Sequence, residues 1–136
     1  MRLPDWQARL SAYILASWTR PLAPGQFDCM LFGAGGVEAV TGTDPAADFR
    51  GRYTTLKGGF RVLKNAGFAD HLACIDARFA RIPRARAIGG DLAAVPGEDG
   101  TAAVGIVQGT SIYVLGPEGG LSLAPIEAAL AVWEVR

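Results

Sequence analysis

The residue best suited to nucleophilic chemistry is Cys29, which follows a loop containing Pro24 and Gly25 and opens the segment FDCMLFGAGGVEAVTG. Asp28 is a good helix N-cap, so a helix beginning there would hold the Cys29 thiol at its positive end. Backbone N–H groups and the helix dipole stabilise a thiolate, whereas the adjacent Asp28 carboxylate disfavours one. On position alone, a buried apolar role for Cys29 is favoured over a reactive one.

Few other side chains could bind a metal ion or transfer a proton. His71 is the only histidine, and it stands three residues before Cys74, so the two could share one face of a helix. With Asp70 they do not supply the four ligands of a structural zinc site, and we predict neither a metal nor a cofactor. We expect His71 to be exposed or half-buried. The sequence leaves open whether Cys29 and Cys74 approach each other.

Composition narrows the class of protein. The length of 136 residues suits one domain, and 50% of the residues are hydrophobic. The 13 basic and 13 acidic residues cancel, so we expect no nucleic-acid partner. No apolar run has the length of a membrane span, and we predict no membrane insertion and synthesis in the bacterial cytoplasm.

The first part of the chain has helical periodicity. Apolar residues predict helices over residues 4–18, from Asp28 to Gly42, over about 53–65 and over about 68–80. Gly33, Gly35 and Gly36 inside the second helix should each cost about 1 kcal/mol relative to alanine. Close approach of another backbone, such as a sheet lying on this helix, would explain them.

The chain after Pro83 alternates short apolar runs with turn residues. This pattern predicts strands over 91–95, 102–108 and 111–115, with a hairpin turn at Gly109 and Thr110. A short strand at 121–123, a helical turn at 125–131 and a strand at 132–135 follow. Helices followed by antiparallel strands indicate an α+β fold in a single domain, 1–136, with a helical part of about 1–82 and a sheet part of about 83–136.

Three segments together resemble the NlpC-type cysteine peptidases. FDCMLFGAGGVEAVTG is similar to their nucleophile segment, GGDLAAV (89–95) to the turn into their first core strand, and AVGIVQG (103–109) to their next strand. The order and spacing agree over about residues 25–115. The resemblance implies the papain-like fold, with N-terminal helices packed on a small antiparallel sheet. The branch that looks closest occurs in bacteriophage and prophage tail modules, whose members begin with a helix like that at Pro4, Asp5 and Trp6.

The resemblance also shows which catalytic groups are missing. The family's histidine would fall at Ala103, so the expectation is a strand that presents a methyl group to the Cys29 thiol. The third polar residue of the family falls near Tyr113. A positioned acid–base group typically contributes about 10²–10⁴-fold to the rate, so Cys29 would be a vestigial or weak nucleophile.

Three functions are consistent with these residues. The leading hypothesis is a degenerate cysteine peptidase, inactive or nearly so, that serves as a structural protein of a phage tail tip or hub. Its partners would be other tail-tip proteins, with peptidoglycan as a further candidate, and its location the virion tail. The second is an active cell-wall peptidase or amidase whose base comes from His71, Tyr113 or a neighbouring subunit. The third is a cytoplasmic binding or assembly module with no link to a virion.

Overall fold

A computed structural model describes residues 1–136, in which four helices precede a sheet. The helices are α1, Trp6–Ser17; α2, Leu31–Thr41; α3, Leu56–Asn65; and α4, His71–Asp76. The strands are β1, Arg81–Ile82; β2, Leu92–Val95; β3, Ala103–Gln108; β4, Ser111–Leu115; β5, Leu121–Pro125; and β6, Ala131–Trp133. The fold class is therefore α+β, as the sequence predicted. No helix is both long and apolar enough to cross a membrane.

All six strands form one antiparallel sheet in the order β1-β6-β2-β3-β4-β5. Strands β3 and β4 form the predicted hairpin, and Gly109 occupies its turn with a φ of +60°. Strand β6 returns to the other side of β2, where Val132 lies opposite both Ala93 and Ile82. The sheet therefore begins at Arg81, two residues before the boundary predicted at 83.

The central strands β2 and β3 are buried on both faces of the sheet. On one face, Leu92, Val104 and Ile106 pack with residues of α1 and α2 in the larger core cluster. On the other face, a smaller cluster lies beneath the short 3₁₀ turns at Arg84–Arg86 and Ile126–Ala128 and their flanking residues. The smaller cluster consists of Ala93, Val95, Val107, Ile112, Val114 and Val132. Burial on both faces explains why β2 and β3 are continuously apolar instead of alternating.

The glycines of α2 permit the close helix–sheet approach that the sequence predicted. A Cβ on Gly33 would lie 3.2 Å from Leu92 Cδ2 and from Val104 Cγ1, and one on Gly36 would lie 2.5 Å from Ile106 Cδ1. The third glycine, Gly35, faces the Tyr13 ring of α1. The missing side chains therefore let α2 lie against both β3 and α1.

We expect Gly36→Ala to lower the free energy of unfolding by about 1–2 kcal/mol, because overpacking against Ile106 outweighs the gain in helix propensity. Chemical denaturation measures this loss. Ile106→Val removes Cδ1, the atom that the new Cβ would meet at 2.5 Å. The double variant should therefore be more stable than the sum of the two single effects predicts. Strict additivity would contradict the close approach.

Helices α3 and α4 begin later than predicted, each after a residue whose side chain caps the helix. Thr55 Oγ1 accepts a hydrogen bond from Gly58 N at 3.0 Å, and Asp70 Oδ1 accepts one from Ala73 N at 2.8 Å. Both capping residues have extended backbone, so regular helix begins one residue later. Helix α4 ends at Asp76, five residues before β1.

Candidate functional site

The turn before α2 is organised by the carboxylate of Asp28, which is 0% exposed. Asp28 Oδ1 accepts hydrogen bonds from Met30 N and Leu31 N, both at 2.9 Å. The Asp28 carbonyl accepts from Leu31 N and Phe32 N. Asp28 therefore binds the N–H groups of the turn that leads into α2, but regular helix begins only at Leu31, with Met30 as its N-cap residue, and so starts later than predicted.

The second carboxylate oxygen of Asp28 connects the turn to the preceding loop at Gly25 and to Tyr53. Oδ2 accepts hydrogen bonds from Gly25 N at 2.9 Å and from the Tyr53 hydroxyl at 2.8 Å. Tyr53 lies between α2 and α3 and is buried. Burial, followed by its hydrogen bond to Asp28, raises the pKa of Tyr53, so the hydroxyl stays protonated and remains a donor. Asp28 thus accepts four hydrogen bonds without a basic partner.

Cys29 lies in this turn with a half-buried side chain. Burial raises the pKa of the Cys29 thiol above its ordinary value, and the neighbouring Asp28 carboxylate adds to the rise. The N–H groups of Met30 and Leu31, which could have stabilised a thiolate, are donated to Asp28. The N–H groups at the start of α2 therefore stabilise the buried Asp28 carboxylate instead of a thiolate. Cys29 is a protonated thiol at neutral pH.

Ala103 is the first residue of β3 and pairs with Val95. Its methyl group packs against the smaller cluster, on the face of the sheet opposite to α2, whereas Ala102 and Val104 pack with the larger cluster on the α2 face. This placement corrects the expectation that the Ala103 methyl group faces Cys29. The adjacent position on the α2 face, Ala102, also carries no proton-transfer group.

Tyr113 lies in β4, opposite Ile106 in β3 and Leu123 in β5. Its ring packs edge-on against Trp18, the residue that follows α1, with the ring centroids 6.2 Å apart and the planes at 88°. Tyr113 thus contributes to the apolar contact between α1 and the sheet, on the α2 face. The structure gives it a packing role at the position where the resemblance implied an orienting polar residue.

His71 is only 8% exposed, which corrects the expectation of an exposed or half-buried histidine. Its Nε2 lies 2.7 Å from the carbonyl oxygen of Ala102, and its Nδ1 is buried without a hydrogen-bond partner. Since a carbonyl only accepts, Nε2 carries the proton. Neither ring nitrogen is therefore hydrogen-bonded to the Cys29 thiol, although the imidazole contacts the residue that precedes Ala103.

The two cysteines are both free and half-buried. Cys74 lines a cavity together with His71, as expected for two residues on one face of α4, whereas Cys29 does not line it. The chain has no group of three or more His, Cys, Asp and Glu side chains placed to hold a metal ion. Two of these contacts have no local signal in the sequence, because Asp28 and Tyr53 are 25 positions apart and His71 and Ala102 are 31 apart.

Comparison with protein families matches residues 1–135 to a domain of unknown function, DUF6950. The chain belongs to the DUF6950 family. No curated protein matches it. In this DUF6950 domain the matched residues include all four helices and all six strands, so the Asp28 turn and the sheet belong to the same family unit.

Proposed function

We propose that this DUF6950 domain is a non-catalytic relative of the NlpC-type cysteine peptidases that serves as a structural protein of a phage or phage-like tail tip. The observation that carries the proposal is the state of its nucleophile. Cys29 has a raised pKa, and the only imidazole of the chain donates Nε2–H to Ala102 and makes no hydrogen bond to the thiol.

The arrangement of elements supports descent from a peptidase scaffold. A cysteine precedes a helix that lies through its glycines on an antiparallel sheet, as in the nucleophile segment that FDCMLFGAGGVEAVTG resembles. In a working cysteine peptidase an adjacent base deprotonates the thiol and then protonates the leaving amine. Here the nearby carboxylate of Asp28 is saturated by four donors and disfavours the thiolate, so neither step has a group to perform it.

A direct test of the inactive state is incubation of the purified protein with peptidoglycan and with synthetic stem peptides. We expect no release of free amines above the level given by Cys29→Ala. Amine release that disappears in Cys29→Ala would contradict the proposal. Folding of the variant is checked by its near-ultraviolet circular dichroism, so that a loss of structure is not mistaken for a loss of catalysis.

The tail-tip role rests on the resemblance of the three segments and of the Pro4–Trp6 start to tail-module proteins. Its partners would be neighbouring proteins of the tail hub, with peptidoglycan as a possible contact during penetration. Mass spectrometry of purified tail particles from a strain that carries this gene tests the assignment. We expect the chain at a fixed stoichiometry to the hub proteins, and its absence from intact particles would contradict the structural role.

One observation favours a second candidate, an active cysteine hydrolase. The hydrogen bond to Ala102 places His71 at the start of β3, one residue from the position where the family has its histidine. After a rearrangement of the turn, the His71 imidazole at the start of α4 could then deprotonate the Cys29 thiol. This candidate requires a thiol that is reactive at low pH, which the pKa of Cys29 does not favour.

Thiol reactivity separates the two candidates. Because the pKa of Cys29 is raised, its alkylation by iodoacetamide in Cys74→Ser protein should be slow at neutral pH and should still increase at pH values above the ordinary cysteine pKa of about 8.5. Free cysteine alkylated under the same conditions is the reference. Rapid labelling at about pH 6 that is lost in His71→Gln would instead indicate an activated thiolate and favour the hydrolase.

A further inference from the structure

A cleft of about 290 Å³ opens between α1, α2 and the loops that flank α2. Three arginines line it: Arg9 from α1, Arg20 from the loop before α2 and Arg50 from the loop after α2. The only acidic residue in its wall is Glu38. Cys29 does not line the cleft, so a ligand bound there would depend neither on the thiol nor on the proposed tail role.

The charged ends of Arg9 and Arg20, and not only their aliphatic stems, lie at the wall of the cleft. Arg9 Nε donates a hydrogen bond to the carbonyl oxygen of Ala39 at 2.9 Å, and Ala39 is itself a lining residue. Arg20 Cζ lies 4.5 Å from the centroid of the Phe27 ring, which also lines the cleft. Both arginines are exposed to solvent, so a dissolved molecule can reach their guanidinium groups.

The charges of this cleft are not balanced by its own acidic groups. Arg50 is paired with Asp44 through two hydrogen bonds of 2.8 and 3.2 Å. Neither Arg9 nor Arg20 forms an ion pair, and Glu38 forms none with any of the three arginines. The cleft thus contains two guanidinium groups without a counter-ion and a single carboxylate, which gives it a net attraction for anions.

We propose that this cleft binds a small organic anion whose phosphate or carboxylate group accepts hydrogen bonds from Arg9 and Arg20. The planar guanidinium suits both groups, because it can donate two parallel hydrogen bonds to their oxygens. The contacts that hold Arg9 and Arg20 leave N–H groups of both free to donate.

The volume of the cleft sets the size of the ligand. A volume of about 290 Å³ is at the lower end of the range of small-molecule sites, about 300–1,000 Å³. It is about twice that of an engineered cavity of about 150 Å³ that accommodates benzene. The cleft therefore suits a molecule with one ring, or a body of similar size, and one anionic group.

Phenyl phosphate, benzoate and benzamide are matched probes, because each has one ring but only the first two carry an anionic oxygen group. We expect saturable binding of an anion in isothermal titration calorimetry of the full chain, in a low-salt buffer without phosphate. Its affinity should exceed that of benzamide by roughly tenfold. The tighter of the two anions identifies the recognised group as phosphate or carboxylate. Equal affinity of all three probes, or no saturable binding of either anion, would overturn the proposal.

Two arginine substitutions that remove the same charge distinguish this cleft from a general attraction to the protein. Arg20→Gln removes an exposed guanidinium from the cleft and should weaken binding of the anion by roughly five- to tenfold. Arg61→Gln removes an exposed charge from α3, outside the cleft, and should change the affinity by less than about twofold. Equal weakening by the two substitutions would overturn the proposal.

Glu38→Gln changes the affinity in the opposite direction. It removes the only acidic side chain of the cleft, so binding of the anion should become about two- to threefold tighter. An unchanged thermal midpoint shows that each variant is folded. Weaker binding by folded Glu38→Gln protein would contradict an anion site at this cleft.

Discussion

Asp28→Ala should lower the free energy of unfolding by about 3–5 kcal/mol, because it leaves buried donors without an acceptor. The carboxylate accepts hydrogen bonds from Gly25 N, Met30 N, Leu31 N and the Tyr53 hydroxyl, all at 2.8–2.9 Å. Two of these donors begin α2 and the others come from flanking segments, so a single substitution loosens three parts of the chain. Urea or guanidinium denaturation monitored by circular dichroism measures the change.

Two matched variants show whether the buried network causes this loss. Asp5 also precedes a helix, but its side chain makes no capping hydrogen bond, so Asp5→Ala should change stability by no more than about 0.5 kcal/mol. Tyr53→Phe removes only one of the four donors and should cost about 1 kcal/mol. If Asp28→Ala were as mild as Asp5→Ala, the assigned role of Asp28 would be wrong.

Asp91→Ala is the other substitution with a large expected effect, a loss of about 3–5 kcal/mol of stability. Asp91 is 0% exposed and forms an ion pair of 3.0 Å with Arg2, whose side chain is 9% exposed. Its oxygens also accept from Val135 N and Ile88 N, each at 3.0 Å. Removing the carboxylate leaves a largely buried guanidinium without its counter-ion and two backbone donors without an acceptor.

The ion pair of Glu134 and Arg136 provides the comparison for Asp91. Both side chains are solvent-accessible, at 31% and 50% exposure, although the pair is as short as 2.8 Å. Glu134→Ala should therefore change stability by less than about 1 kcal/mol, as is usual for surface pairs. Thermal and chemical denaturation should show a much larger loss of stability in Asp91→Ala than in Glu134→Ala. Equal losses would show that burial of the ion pair does not determine its contribution to stability.

Local patterns predicted most of the sheet. Strands β2, β3 and β4 begin within one residue of their predicted starts, because each apolar run is bounded by Gly, Pro or Asp residues that terminate strands. Strand β1 was not predicted, since its two residues carry no periodicity. Strand β1 is defined only by its pairing with β6, about 50 positions later in the chain.

The candidate site was predictable where it depends on neighbours in sequence. The hydrogen bonds that the Asp28 carboxylate accepts from the turn before α2 follow from residue type and position, and the close packing of α2 follows from its glycines. The burial of His71 was not predictable, because its partner Ala102 is 31 positions away. The face of Ala103 could have been inferred, since Val104 and Ile106 alternate with it and are the larger apolar residues of β3.

The position of β6 between β1 and β2 has a consequence for biosynthesis. Residues 131–133 occupy the interior of the sheet, so β1 has no partner strand, and β2 lacks one of its two, until those residues have left the ribosome. Contacts between distant parts of a chain form slowly because a long loop must first close. Completion of the sheet therefore waits until residues 131–133 have been synthesised, and a nascent chain stalled before residue 131 exposes an open strand edge on β2 that favours pairing with other chains.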